Sequence, residues 1–232
     1  MKFFKKLSLL LSVTVISILC LAVSASATWE KVSEDSNIEY HFDDVTGTLH
    51  IRGEGKIPDD FLGKCGKYYY GEDYEEFDGA DDDDFVVEDF SYMQKVKTLI
   101  IEEGITEIGH CAFLGNYRYY KFMTELRTVI LPDSLETIGN YAFGNMSSLK
   151  TVTFEATDGK IPDIDYNAFC TSGPIEFNLP WTKEQHKKFV GTYDVLDREY
   201  AKDVFFGAKI GSKLIFADGQ ELIKDQEVIE NV

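Results

Sequence analysis

Apolar and polar positions recur in one fixed phrase between residues 96 and 180. Val96-Lys-Thr-Leu99-Ile-Ile101, Leu126-Arg-Thr-Val129-Ile-Leu131 and Leu149-Lys-Thr-Val152-Thr-Phe154 are three copies of its first half. A turn comes after each, then Ile108-Gly-His-Cys-Ala112-Phe113, Ile138-Gly-Asn-Tyr-Ala142-Phe143 or Ile164-Asp-Tyr-Asn-Ala168-Phe169. A fourth copy begins at Pro174-Ile-Glu-Phe177-Asn-Leu179-Pro180 and breaks off. The copies start at 96, 126, 149 and 174, so the spacing is 30, 23 and then 25 residues. A period of this length with fixed apolar offsets predicts a repeat solenoid and not a fold around one central core.

Alternation across Val129 and Leu131 predicts a strand whose Thr128 and Ile130 point the other way. Pro132 cannot donate to a ladder, so the strand stops there and the chain turns through Asp133 and Ser134. It returns along the opposite wall, where Ala142-Phe143 forms a short helical turn and Phe143 enters the axis of the coil. One coil cannot bury these side chains. Stacked coils bury them between neighbours, at roughly 1.5–3 kcal/mol for each large one.

The chain divides into four segments. Residues 1–27 have the form of a secretory signal: Lys2, Lys5 and Lys6, an apolar run from Leu7 to Val23, and Ala25-Ser-Ala27 at the cleavage site. Residues 28–95 form an N-terminal cap in which Tyr40-His-Phe42 and Leu49-His-Ile51 are strands joined around Asp44-Val-Thr-Gly47. This segment contains an acidic, aromatic insertion, Gly63 to Met93, with Tyr68, Tyr69, Tyr70 and Asp81 to Asp84. Residues 96–180 are the repeats, interrupted by a second aromatic insertion, Asn116-Tyr-Arg-Tyr-Tyr-Lys-Phe122. Residues 181–232 make the far cap. There Thr182-Lys-Glu-Gln185 is a capping box opening a helix to about Val190, and Lys213 to Ile223 is a hairpin around Asp218-Gly219.

Charge narrows the partners. The formal net charge is −18, and cleavage of the signal, with its three lysines, would take it to −21. Such a surface disfavours nucleic acid and anionic membrane, and after signal removal no long apolar stretch remains to insert in a membrane. Three cysteines then remain, Cys65, Cys111 and Cys170, an odd number that excludes a fully paired intramolecular set. Two coils separate Cys111 from Cys170, about 9–10 Å at the strand spacing and too far for a disulfide. Neither a Gly-x-Ser-x-Gly elbow nor a His-Glu-x-x-His pair nor a phosphate loop occurs, so no catalytic residue is assigned. His41, His50, His110 and His186 lack metal-ligand spacing, and the acids near Asp73 to Asp84 lack that of a calcium loop, so no metal or other cofactor is assigned.

Leu131-Pro-Asp-Ser-Leu-Glu-Thr-Ile-Gly-Asn-Tyr-Ala-Phe143 resembles the consensus of BspA-type, or treponemal-type, leucine-rich repeats. Gly47-Thr-Leu-His-Ile-Arg-Gly-Glu-Gly55 followed by Ile57-Pro-Asp59 is similar to the strand preceding those repeats in many secreted bacterial members. The resemblance covers roughly residues 40 to 180. It implies a leucine-rich-repeat solenoid, right-handed and mainly β with short helical turns, with a parallel concave sheet between the two caps. It also implies a secreted or surface protein of bacteria, a class in which some members are adhesins for host matrix proteins or other bacteria. The acidic insertion, the small number of repeats and the lack of a wall-anchoring signal depart from the family pattern.

The expected ligand surface derives from the strand alternation. His50, Arg52, Thr98, Ile100, Thr128, Ile130, Thr151, Thr153, Glu176 and Asn178 face outward from the concave sheet. Tyr68, Tyr69, Tyr70, Tyr117, Tyr119, Tyr120 and Phe122 flank it as aromatic anchors. Small polar groups on a rigid sheet favour an extracellular protein, from host matrix or a bacterial surface, over a glycan. Replacing Tyr119 and Tyr120 by Ala is expected to weaken partner binding without loss of fold. A melting point lowered by more than about 8 °C would place those rings in the core instead.

Overall fold

The computed structural model describes residues 28–32, 36–59, 61, 90–115, 123–155, 157, 160–191 and 206–224. The signal segment, most of the acidic insertion with Tyr68, Tyr69 and Tyr70, Cys65, and the second insertion with Tyr117, Tyr119, Tyr120 and Phe122 lie outside the described residues. The chain divides into two compact units, 1–30 and 31–232. A two-residue strand β1 (Glu30–Lys31) falls where they meet in sequence. All the other described strands belong to the second unit.

This unit is mainly β, with one described α-helix. The strands are β2 (Glu39–Asp43), β3 (Thr48–Arg52), β4 (Gly55–Ile57), β5 (Thr98–Ile101), β6 (Ile105–Ile108), β7 (Thr128–Leu131) and β8 (Thr137–Ile138). After them come β9 (Thr151–Phe154), β10 (Asp163–Ile164), β11 (Glu176–Asn178), helix α1 (Lys183–Gly191), β12 (Lys213–Ile215) and β13 (Glu221–Ile223). One sheet runs β2-β3-β5-β7-β9-β11-β12-β13, and a second runs β10-β8-β6-β4. Every pairing from β3 to β12 in the first sheet is parallel, as is every pairing in the second. β2 with β3 and β12 with β13 pair antiparallel.

Register obeys the repeat. Leu49, Leu99, Val129, Val152, Phe177 and Leu214 stand opposite one another on successive strands, and all six are fully buried. The next inward positions, Ile51, Ile101, Leu131, Phe154, Leu179 and Phe216, are buried with them. Hydrogen bonds repeat with the same period at the strand starts. The N–H groups of Lys97 and Thr98 donate to the carbonyl of Gly47, those of Arg127 and Thr128 to Lys97, and those of Lys150 and Thr151 to Arg127.

Opposite the strands, Phe113, Phe143 and Phe169 form a column inside the stack. Phe113 and Phe143 lie 5.4 Å apart at 12°, and Phe143 and Phe169 5.1 Å apart at 10°. Edge contacts to Phe61 at one end and Phe177 at the other close the column. Each such pair contributes about 0.5–1.5 kcal/mol beyond the burial of its area. The turns leading into these rings are held between coils. Phe113 N–H donates to Ala142 O at 2.9 Å, Phe143 N–H to Ala168 O at 2.8 Å, and Phe169 N–H to Phe206 O at 2.9 Å. Gly139 is needed at this approach, because a Cβ there would sit 2.8 Å from the backbone nitrogen of His110.

Two details are added and one boundary is corrected. The return wall is itself a parallel sheet, which the short stretches β8 and β10 did not announce. The Ala-Phe segments are single hydrogen-bonded turns: Ala112, Ala142 and Ala168 each bond back three residues, and Cys111 and Tyr141 both adopt φ of 54°. The insertion ends earlier than Met93. Phe90–Lys95 is a 3-10 helix, and Met93 is a fully buried core residue whose carbonyl accepts from Val96 N–H. Met123 bonds Leu126 and Met146 bonds Leu149 in the same way, so the three methionines hold one repeat position.

After β11 the chain enters α1. Its capping box is reciprocal: Gln185 N–H donates to Thr182 Oγ1 at 3.2 Å, and Thr182 N–H to Gln185 Oε1 at 2.7 Å. His186, one of the four histidines, is a buried structural residue here. Trp181 Nε1 donates to its Nδ1 at 3.2 Å, and Phe206 and Phe216 pack against its ring. The hairpin at Asp218-Gly219 forms as expected, with φ of 78° at Gly219, but β12 also joins β11 as the next parallel strand.

Phe143→Ala removes the middle ring of the column and is expected to cost about 3–5 kcal/mol in urea unfolding. A loss below about 1 kcal/mol would mean that the column does not tie the coils together.

Candidate functional site

Strand alternation leaves two rows of side chains on the sheet face opposite the core. One row is Thr48, Thr98, Thr128, Thr151, Glu176 and Lys213. The other is His50, Ile100, Ile130, Thr153, Asn178 and Ile215. Each step along a row is one strand spacing, about 4.8 Å. Nine of the ten expected sheet positions therefore fall in two straight lines, and Arg52 extends the face beyond the end of the second.

Solvent reaches the rows unevenly. His50, Ile100 and Ile130 are only 4%, 3% and 4% exposed although they stand away from the core cluster, so they are closed rather than open contact points. Thr98, Thr128, Thr151, Thr153 and Asn178 are partly open and Glu176 is exposed. The accessible part of the face is thus a hydroxyl and amide surface bordering a closed apolar pair.

The polar groups are held in place by neighbours. His50 Nδ1 lies 3.2 Å from Glu102 Oε1. Arg52 donates twice to Glu39 Oε2, from Nε at 3.1 Å and from Nη2 at 2.8 Å. Asn178 Nδ2 donates to Thr153 Oγ1 at 3.2 Å, tying adjacent strands. Fixed rotamers of this kind reduce the entropy lost when a partner docks.

At the strand ends the acids serve the repeat itself. Glu103 accepts the N–H groups of Asp133 at 2.8 Å and Ser134 at 3.1 Å, so one coil's carboxylate holds the next coil's turn. Glu155 is half-buried next to this carboxylate, and burial first, then the charge of Glu103, raise its pKa above the usual carboxylate range. Among the described residues no group of three or more His, Cys, Asp or Glu side chains is arranged to hold a metal ion. Cys111 and Cys170 are both thiols. No helix among the described residues is long and apolar enough to cross a membrane.

Three residues of the rows were not expected from the sequence. Thr48 starts the threonine row, while Lys213 and Ile215 end both rows, because β12 extends the parallel sheet. The signal was present: Lys213-Leu-Ile-Phe216 repeats the spacing of Thr128-Val-Ile-Leu131. The aromatic flank expected from the two insertions lies outside the described residues.

Part of this arrangement matches a leucine-rich-repeat family. The family model described as the BspA type leucine rich repeat region (6 copies) matches residues 114–189. The match covers about a third of the chain and runs into α1. No curated protein matches the chain. A crystal structure of a leucine-rich repeat protein from Eubacterium ventriosum is similar at 18% identity over 67% of this chain, with a TM-score of 0.37. The chain spans 38% of that protein's length.

Because its pKa is raised, Glu155 favours the fold when protonated. Its charged form costs stability above the folded-state value, and that cost disappears as pH falls through it. Glu155→Gln is therefore expected to raise the melting temperature at about pH 8 and to bring no gain at about pH 4. An equal effect at both pH values would mean that its carboxylate is not strained.

Proposed function

We propose that this chain is a secreted or cell-surface protein-binding module of the adhesion type, one that holds a partner and catalyses nothing. In this reading the parallel sheets are the walls of a right-handed solenoid. The hairpin β2–β3 caps one end, and α1 with β12–β13 caps the other. The partner is an extracellular protein, from a host matrix or a bacterial surface, rather than a glycan. The leucine-rich-repeat family is one of protein-binding and adhesion-type modules, and its BspA type is typical of surface and secreted bacterial proteins.

The observation that carries the reading is the alignment of the partly open Thr98, Thr128 and Thr151 on three successive strands, with Thr153 and Asn178 beside them. Short side chains in register make a flat, stiff surface. Such a surface suits the broad contact of a protein partner better than the enclosing contact that a small molecule needs. Affinity then comes from shape and from a few anchors at its margin, with Arg52 and Glu176 adding charge to the face.

The test is binding to a panel of purified extracellular matrix proteins, with a glycan array run in parallel. Wild-type chain is expected to bind at least one protein. Thr128→Arg with Thr151→Arg, which places two bulky cations on the face, is expected to abolish that binding while leaving the melting temperature within a few degrees. Binding that survives the double substitution, or hits confined to the glycan array, would overturn the reading.

A further inference from the structure

Strand β13 is the outer strand of the larger sheet among the described residues. Its bonds to the preceding strand use alternate residues. Phe216 N–H donates to Gln220 O at 3.0 Å, Lys224 N–H to Ser212 O at 2.9 Å, and Gly211 N–H to Lys224 O at 2.7 Å. In an antiparallel pair the intervening residues direct their backbone groups the other way, so Glu221 and Ile223 present theirs to the outside. Ile223 is 57% exposed and Ile210 is 45% exposed, two of the three exposed large apolar residues described. Among the described residues no further strand pairs with this edge, although the Glu221 carbonyl meets Lys183 Nζ at 3.5 Å, and an open edge with exposed apolar side chains is a template for a further strand.

Charge selects which strand. Lys213 pairs with Glu221 at 3.0 Å, Lys183 Nζ reaches Glu221 O at 3.5 Å, Lys224 Nζ bonds Ala208 O at 2.9 Å, and Lys209 is exposed. Three lysines thus make contacts at this hairpin, and Lys209 lies two residues before Gly211, which bonds Lys224; β13 itself carries a single acid, in a chain of net charge −18. Residues 62–89 hold eleven acids and two lysines. Within them Asp81-Asp-Asp-Asp84-Phe85-Val-Val87-Glu88 sets a β-prone apolar triplet between acids.

We propose that the β13 edge is a docking site for the Asp81–Glu88 segment of a second copy of this chain, added as an extended strand. Docking within one copy is excluded by reach. Val87 is three residues from Phe90, about 10 Å at full extension. Two residues further on, Tyr92 stacks on Phe42 of β2 at 5.1 Å, at the opposite end of the sheet from β13. Seven strand spacings, about 33 Å, separate β2 from β13. The acids of one copy therefore meet the lysines of the next. Such a head-to-tail contact uses two different surfaces and propagates unless its rotation closes a ring.

The experiment is sedimentation velocity of the full chain over a range of concentrations, with a synthetic peptide of residues 79–90 as competitor. At low salt the mean mass is expected to rise with concentration. Excess peptide, or salt on the order of 0.5 M, is expected to return it to the monomer value. Ile223→Pro removes an outward N–H from the edge and is expected to weaken assembly by about tenfold or more. Lys209→Glu, at an exposed position, is expected to weaken it in a salt-dependent way while leaving the circular dichroism spectrum unchanged, which keeps the test valid if the proline variant misfolds. A chain that stays monomeric at every concentration, or assemblies indifferent to the peptide and to Lys209→Glu, would overturn the proposal.

Discussion

The two described sheets depend on one repeat pairing with the next without a change of register. No repeat alone hides its own apolar residues. Val129 is buried because Leu99 and Val152 flank it, and Phe143 because Phe113 and Phe169 cover its two faces. The same stacking satisfies the backbone, through the strand ladders and the turn bonds such as Phe143 N–H to Ala168 O. Apolar burial and hydrogen bonding therefore share one geometry, and a slip of one residue would lose both.

That constraint also builds the outward face. Once the inward residues are locked opposite one another, the alternate residues line up without further instruction, and a row of threonines forms at the strand spacing. The sequence needs only a small polar residue at that offset in each copy. Buried polar side chains reinforce the register. Ser172 Oγ accepts Met146 N–H at 3.0 Å and donates to Phe143 O at 2.7 Å, and Ser212 Oγ accepts Ile175 N–H at 3.1 Å. Each joins two coils at a point where an unpaired group would cost about 1–3 kcal/mol.

Whatever the repeat encodes locally is legible along the chain. The strand positions, the burial of Phe143 and its equivalents, the capping box at Thr182 and the turn at Asp218-Gly219 each come from a short stretch with its own signal. The second sheet is hidden because β8 and β10 are two residues long, too short for alternation to show. Met93 and Met123 each end an interruption of the repeat, so spacing alone does not assign them to the core. The outward face is legible in its membership but not in its accessibility. His50, Ile100 and Ile130 obey the outward alternation yet are closed to solvent, a matter of neighbours in space that spacing along a chain does not carry. Trp181 and His186 form their bond for the same kind of reason, since it depends on how the chain leaves β11.

The most direct test of the stacking is to fix its register chemically. With the native cysteines replaced by alanine, Thr98→Cys with Thr128→Cys places two thiols directly opposite on neighbouring strands, about 4.8 Å apart along the backbone and within reach of a disulfide. Mild oxidation is predicted to close that bond rapidly, while Thr98→Cys with Val129→Cys, one residue out of register, stays open. Closure of the offset pair, or failure of both, would contradict the account.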